Sequence, residues 1–459
     1  MRTIIFISAL FCCINTSAQD SVIISASIRY EHPSLFRKFL LGSNYRDTWS
    51  APVKMPVFRL DTSRARIVEM GGGQQTKSLK IIDSDSIEWV LRTVDKDVEK
   101  ALPGFFRNTF IERVVQDMIS GAHPYAALAV GELARKLDLA APYPQVYYVA
   151  DDPGLGPYRE ILAHKVCMLE KSEPTYDDSE AIDTEDMLSL VDKKGNRSIN
   201  DTLLLKARLL DMLVGDWDRH HEQWKWGASG DEYYPVPRDR DQAFFYSNGF
   251  LVKLVGLFSM KHLVGFRPQN RKVKHLNRKS WKFDRYLMSE LDENDWLRAI
   301  NQFTSTLTND ALHQAVQKLP KEIYKRDGQR ILTTLIERRD AIGKDAMKYY
   351  YWLSRNIYIR GSDDPELVKV TPGKNGLHVQ VVNSLTNHVT YDRIFNPRIT
   401  KKINLYLMDG NDRFIAQGAE KSRIKILLND GEGEDHVQNN GKLDLTTHNN
   451  ALPSIAWRE

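Results

Sequence analysis

Cysteine is nearly absent: Cys12, Cys13 and Cys167 are the only three in 459 residues. Three thiols exclude a disulfide-stapled scaffold, so the fold must be held by its core. An excess of one charge is absent too. Lys and Arg number 64, Asp and Glu 60, a net +4, too mild and too evenly spread to imply a nucleic-acid binder or a basic membrane-surface protein. Long apolar runs are missing after the first residues. Phe250 to Met260 is short and interrupted by Lys253, whereas a spanning helix takes about 20 residues. A transmembrane barrel would need many alternating segments of about ten residues, and the central region reads as helical. No repeat of fixed period runs along the chain. What remains is an ordinary globular balance, 42% apolar and 27% charged, in a length with room for about two to four domains.

Apolar character is densest at the start. Arg2 precedes the mostly apolar Ile4–Cys13, and Thr16-Ser17-Ala18-Gln19 supplies small residues before a cleavage point. Residues 1–19 read as a secretory signal peptide. Export to the periplasm, soluble or associated with the outer membrane, is expected, with no transmembrane segment in the mature chain. The bulky Phe11 before Cys12 argues against lipidation. Removing the signal leaves Cys167 as a single thiol.

Alternation marks short strands at Ser21–Tyr30, Val53–Leu60, Ser78–Ile82 and Ile87–Val94, with Gly71-Gly72-Gly73 breaking the chain before the third. Strand, glycine turn and strand predict a small antiparallel sheet. From Asn108 the period changes. Phe110, Ile111, Val114, Val115, Met118 and Ile119 recur at three and four, predicting an amphipathic helix that Gly121 ends. His123-Pro124 opens a second helix through Leu137, with His123 a packing or capping residue. Pro144–Val149 and Glu160–Glu170 read as strands, 171–200 as an acidic surface excursion, Leu203–Val214 as a strong helix, and 280–353 as several helices. From Asn356 onward strands recur between Gly, Asn and Asp turns (Ile357–Ile359, Leu377–Val382, Ile403–Met408, Ile424–Leu428), so 356–459 is expected to be a separate β domain.

Chemistry concentrates in two segments. The first is Gly215-Asp216-Trp217-Asp218-Arg219-His220-His221-Glu222-Gln223, after the strong helix. The second is Arg238-Asp239-Arg240-Asp241-Gln242-Ala243-Phe244. Runs this dense in Asp, Arg and His are costly to bury without mutual pairing or a metal. A separation of about twenty residues suits two strands joined by a hairpin that brings both to one cleft.

Asp218-Arg219-His220-x-x-Gln223 resembles the catalytic loop of atypical kinases, such as lipid kinases of the phosphatidylinositol type, secretory-pathway kinases and spore-coat kinases. Asp239-Arg240-Asp241 resembles their metal-binding Asp segment. The resemblance covers roughly residues 60–350 and implies an α+β, two-lobed protein-kinase-like domain at 20–355, with a small lobe at about 20–170 and a helical lobe at about 171–355, followed by the all-β domain. It implies Asp218 as the base, with Arg219 and His220 bracing the loop, and Gln223, Asp239 and Asp241 as ligands of Mg2+ or Mn2+ against the phosphates of ATP or another nucleotide. Gly72 and Gly73 would cover the phosphates, Arg92 or Lys96 would hold them, Glu112 would partner the cation, and Leu169, within Met168-Leu169-Glu170, would meet the base. The chain departs from the family in three places. Gly71–Gly73 is not a G-x-G-x-x-G loop, Arg92 stands where kinases have Lys, and Gln223 replaces Asn. The partner implied is a nucleotide or phosphorylated small molecule, and no nucleic acid.

A second resemblance rests on Gly71-Gly72-Gly73-Gln74-Gln75-Thr76, Val90-Leu91-Arg92-x-Val94-Asp95-Lys96-Asp97 and Ser120-Gly121-x-His123-Pro124-Tyr125. This region is similar to one in Gram-negative envelope proteins that carry a metallophosphoesterase head and a BamA/TamA-like barrel. The chain has neither head motifs nor barrel, so what carries over is an envelope protein partner and, as an alternative function, a non-catalytic binding module. A further alternative is a metal-dependent phosphohydrolase using Asp216, Asp218, His220 and His221. In the tail, Asp409-Gly410-Asn411-Asp412 and Asp430-Gly431-Glu432-Gly433-Glu434-Asp435 resemble single Ca2+-binding turns, which implies Ca2+ in the β domain.

Overall fold

The computed structural model describes residues 21–448 apart from 72–75, 100–101, 194–196, 259–262, 264 and 270–271. The signal read at 1–19 and the phosphate-covering Gly72 and Gly73 lie outside the described residues.

The first lobe is built on strands β1 (Ser21–Ile24), β2 (Val53–Phe58), β3 (Arg66–Gly71), β4 (Ser78–Ile82), β5 (Glu88–Thr93), β6 (Gln145–Val149) and β7 (Val166–Lys171). They lie in the order β1-β2-β6-β7-β5-β4-β3. Neighbours from β3 to β6 are antiparallel, while β2 runs parallel to β6. The sheet is wider than the one expected: the antiparallel β4–β5 pair matches the strands read at 78–82 and 87–94, whereas β3 (Arg66–Gly71), at the sheet edge, was not read from the sequence. Alternation gives it two different faces. Leu79, Ile81, Leu91 and Cys167 join Leu155 and Leu162 in one apolar layer. Arg92, Met168 and Glu170 belong to the other face and line a cleft.

Helices α1 (Leu35–Leu41), α2 (Arg46–Ser50) and α3 (Leu60–Ser63) are inserted among the first strands, α4 (Phe110–Met118) and α5 (Ala126–Lys136) link β5 to β6, and α6 (Arg159–Leu162) precedes β7. His123 starts the α5 turn as expected, its Nδ1 accepting the Tyr125 N–H at 3.2 Å. The strand expected at Glu160–Glu170 is divided. Leu162 on α6 packs into the apolar layer, and His164 at φ +62 turns the chain into β7.

The acidic stretch 171–200 is not a mere excursion. It carries α7 (Thr184–Lys193) between the short strands β8 (Ile182–Asp183) and β9 (Ser198–Ile199). Glu185 and Asp186 fall in the first turn, where carboxylates suit the helix dipole, and Met187 and Leu188 turn inward. Next comes α8 (Asp201–Val214), capped by the Asn200 side chain, which accepts the Leu203 N–H at 2.8 Å. Its Leu204, Leu205, Leu209 and Leu213 are fully buried. Strands β10 (Trp224–Ser229) and β11 (Glu232–Pro237) pair antiparallel, Trp224 opposite Pro237. The helices that follow are α9 (Phe250–Phe258), α10 (Val273–Leu276), α11 (Trp281–Leu287), α12 (Glu293–Thr306), α13 (Asn309–Val316), α14 (Lys321–Ile323) and α15 (Gln329–Leu353), of which α12 and α15 pack on α8. One core runs from Val53 and Met55 of β2 through α5 and α8 to Trp296 and Tyr349, so the sheet lobe and the helical lobe share it. No described helix is long and apolar enough to cross a membrane.

The tail has its own core, with Ile357, Val368, Phe414 and Ile426 among its members. Its strands are β12 (Asn356–Arg360), β13 (Glu366–Gly373), β14 (Gly376–Asn383), β15 (Val389–Phe395), β16 (Lys402–Tyr406), β17 (Arg413–Ala416), β18 (Lys421–Asn429), β19 (His436–Asn439) and β20 (Lys442–His448). One sheet, β12-β16-β18-β20, is all parallel, and in the other β13, β17 and β19 are parallel. The chain alternates between the sheets, so turns 407–412 and 430–435 stack, with Asp409 bridged to Glu432. This stacking corrects the Ca2+ reading. Carboxylates of these turns accept backbone N–H groups: Asp412 from Glu366 and Asp435 from Asp412, each at 2.8 Å. Among the described residues no group of three or more His, Cys, Asp or Glu is arranged to hold a metal ion.

Two of the stacked acids are buried at a cost. Desolvation pushes Glu366 up to about 8 and Asp412 to about 7. Acids raised in the fold favour it while protonated, so their contribution is present below the ordinary values of 4.5 and 3.8 and is lost as pH rises through 7 and 8. Melting of the tail, followed across this window, is expected to fall with pH, and Glu366→Gln to raise it at the alkaline end. A variant melting below wild type at high pH would contradict this.

Candidate active site

The helix α8 ends at Gly215, whose φ of +74 and backbone bond to Asp211 O make the left-handed cap that only glycine adopts without strain. The chain then turns into Asp216–Gln223 and the β10–β11 hairpin. Because Trp224 pairs with Pro237, Gln223 and Arg238 are adjacent, and the Arg238 N–H donates to Gln223 O at 2.9 Å. The hairpin therefore brings the two segments together.

A buried ionic web holds them there. Asp211, on the inner face of α8, pairs with Arg208 at 2.6 Å, Arg240 at 3.0 Å and Arg219 at 3.3 Å. Burial would push its carboxyl up, but the three guanidiniums hold it below the ordinary value. Arg219 also grips Asp216 at 2.7 Å and donates to the Arg238 carbonyl. Arg208 continues to Asp284 at 2.9 Å, which accepts the Tyr349 hydroxyl at 2.7 Å. Arg219 thus ties Asp216 and the Arg238 carbonyl to Asp211.

The cleft between the lobes has about 870 Å3 of empty space, its open mouth included. Its apolar end is lined by Val94, Ala127, Val130 and Met168; its charged end by Arg92, Lys96, Glu170, Asp239 and Asp241. Lys96 meets Asp241 directly. Burial lowers the Lys96 value, against the opposing pull of Asp239, Asp218 and Asp216. Arg92 lies 3.5 Å from Asp239 and 3.4 Å from Glu170. Burial raises Asp239, but Arg92, Lys96 and Arg219 outweigh it and leave the carboxyl below the usual range. Asp239 itself sits at φ +51, a strained backbone of the kind that clusters at functional sites.

The other residues named from sequence are placed as follows. Asp218 is half-buried and paired with Lys279, which also lies 5.4 Å over the Trp217 ring. His220 lies 3.6 Å from Glu222, and burial lowers its value. Gln223 is buried, and its Oε1 has no hydrogen-bond partner among the described residues. Two residues fall elsewhere. Glu112 spends its carboxylate on the Asn108 N–H at the start of α4, and Arg92 takes Glu170 of β7 as its partner instead. Leu169 packs into the apolar layer on the opposite face of the sheet, because alternation turns it away while Met168 and Glu170 enter the cleft. In the hydrolase set, Asp216 is held by Arg219, and His221 faces Glu185 at 3.6 Å, away from Asp218. Sequence reading missed Asp211 and Lys279, and it placed Glu170 only in the base-meeting segment, not as the partner of Arg92. Arg208 and Asp211, three apart among the leucines of one helix, were the available signal.

Chemically, the cleft offers hard oxygen donors (Asp239 and Asp241) beside two cations and an apolar wall, while Gln223 is buried on the neighbouring loop and does not line it. Mg2+ is commonly held by one or two carboxylates with substrate phosphates completing its shell. The residues present fit that arrangement, with no closed cage of three acids.

No protein-family model matches the chain, and no curated protein does. Solved structures do. The proinflammatory kinase CtkA of Helicobacter pylori is similar over 64% of this chain and 99% of its own, at 13% identity and TM-score 0.34. The Rio2 kinase in its ADP/Mg2+-phosphoaspartate complex, from Chaetomium thermophilum, is similar over 60% and 71%, at 12% and 0.30. The Golgi casein kinase is similar over 63% and 72%, at 13% and 0.33. Scores this low carry no functional argument, which must come from the cleft.

Asp211→Ala is expected to destabilise the protein by roughly 3–5 kcal/mol in urea unfolding, because three buried guanidiniums lose their common partner. A loss under about 1 kcal/mol would show that the web does not hold the site.

Proposed function

We propose that the cleft binds a nucleotide with Mg2+ or Mn2+ and that the chain is a kinase-like phosphotransferase. The observation that carries this reading is the convergence of Lys96, Arg92, Asp239 and Asp241 at one end of an otherwise apolar cleft. The apolar end suits a base, and the cations suit phosphates. Asp239 and Asp241 would hold the metal, which supplies charge neutralisation across the phosphates when bound. Asp218, on the loop beside them and paired with Lys279, would accept the proton of the acceptor hydroxyl.

A second reading has its own support. Asp218, Asp239 and Asp241 each already face a cation from this chain. A non-catalytic nucleotide-binding module, working with an envelope protein partner, would need no more. Export, which underlies that partner, rests on residues 1–19 alone.

Equilibrium binding of ATP and ADP with Mg2+ or Mn2+ tests the proposal. Lys96→Ala and Asp241→Ala are expected to weaken binding at least about tenfold, or 1.4 kcal/mol. Asp218→Asn is expected to leave binding intact and slow transfer by roughly 10²–10⁴. No nucleotide binding by wild type would sink both readings. Binding without transfer, indifferent to Asp218→Asn, would leave the non-catalytic one.

A further inference from the structure

The even charge balance of the whole chain conceals one segment of a single sign. Between Asp241 and Asp284 lie 284 − 241 − 1 = 42 residues with no Asp or Glu and nine Lys or Arg. Helix α9 belongs to this segment. It lies against α1, with the Phe39 and Phe250 rings stacked 5.6 Å apart. The two helices are tied at their ends. The Ser43 N–H donates to the Asn248 side chain at 2.9 Å, and the backbones come so close that a Cβ on Gly249 would sit 2.4 Å from the Leu41 carbonyl carbon. The pair is therefore one preformed face.

That face presents its apolar side chains to solvent. Leu35 is 87% exposed, Phe36 70%, Phe39 63% and Phe250 51%. Neither helix contains an acid. Arg37 reaches back to the buried Asp117 and anchors α1, while Lys38 and Lys253 stand exposed among the aromatic rings. Clustered exposed apolar groups mark an interaction site. Short helices that set Phe and Leu beside Lys and lie flat on the surface match the chemistry of the headgroup–acyl boundary.

We propose that the α1–α9 face docks on an anionic lipid bilayer. Charge decides the occupant. A second copy seated face to face would bring lysines against lysines with no carboxylate on either helix, which is repulsive. Lipid phosphates complement the lysines, and acyl chains accept the phenylalanines. The net +4 of the chain hides this because acids elsewhere cancel it in the sum but not on the surface.

Co-sedimentation of the full chain with vesicles decides it. Wild type is expected to bind phosphatidylcholine vesicles containing phosphatidylglycerol at least about tenfold better than pure phosphatidylcholine, and to be released by salt. Phe36→Ser with Phe39→Ser is expected to abolish binding. Lys38→Glu with Lys253→Glu is expected to weaken it at least about tenfold with melting unchanged. Both lysines are exposed, so the charge pair decides the matter if the phenylalanine variant fails to fold. Wild type remaining in the supernatant, or the charge variant sedimenting like wild type, overturns the proposal. So does lipid-independent dimerisation that Phe36→Ser abolishes, because the face then belongs to a second copy.

Discussion

Asp211 has no exposed surface and takes guanidinium groups from three different parts of the chain. Arg208 comes from its own helix, Arg219 from the loop after that helix, and Arg240 from the segment beyond the hairpin. Burying a carboxylate alone would neutralise it, and burying an arginine alone costs several kcal/mol. Together they satisfy one another, and the condition for doing so is geometric: α8, the Asp216–Gln223 loop and the Asp239–Asp241 loop must all be in place. Through Arg208 the same web reaches Asp284 on α11 and Tyr349 on α15. Asp211, Arg208 and Arg219 position the site without lining the cleft, and Arg240 joins the web to the cleft wall.

The cleft above this web has the opposite electrostatic character. Below, charges are sealed and mutually satisfied. Above, Arg92, Lys96, Asp239 and Asp241 are paired but reachable, beside an apolar wall. Pairs at such a boundary can exchange partners, since each lost protein contact can be replaced by a phosphate or a metal ion. The fully buried pairs cannot do so without leaving a charge uncompensated. The division between a rigid ionic base and an exchangeable ionic surface supports phosphate chemistry at the upper level and not at the lower.

Much of this was legible in the chain. The 3.6-residue period of Leu203–Val214 marked α8, alternation marked β4 and β5 after the glycine break, and the density of Asp, Arg and His marked the two loops that the β10–β11 hairpin joins. Other parts were hidden for definite reasons. Glu170 partners Arg92 because their strands are neighbours in a register that sets Arg92 opposite Met168, so the two meet on the diagonal. Residues 78 positions apart in sequence show no such relation. Glu112 looked like the better candidate because it lies on a helix near Arg92 in sequence, yet a local N–H at the helix start claims it. Stacking of the tail turns was equally hidden, since period-2 alternation is the same for parallel and antiparallel strands.

What the sequence determined by itself is what depends on near neighbours: strongly periodic segments such as α8, where glycine must end that helix, and which residue types supply oxygen ligands and cations. Those follow from backbone sterics and side-chain periodicity, which act over a few residues. The tertiary structure alone decided which carboxylates face the cleft, which are spent on backbone N–H groups, and which arginines brace and which are exposed. It also decided that a chain of nearly neutral composition presents one basic, apolar face. Partner choice among charges depends on distance through space and on burial, and neither is fixed until the two lobes close over their common core.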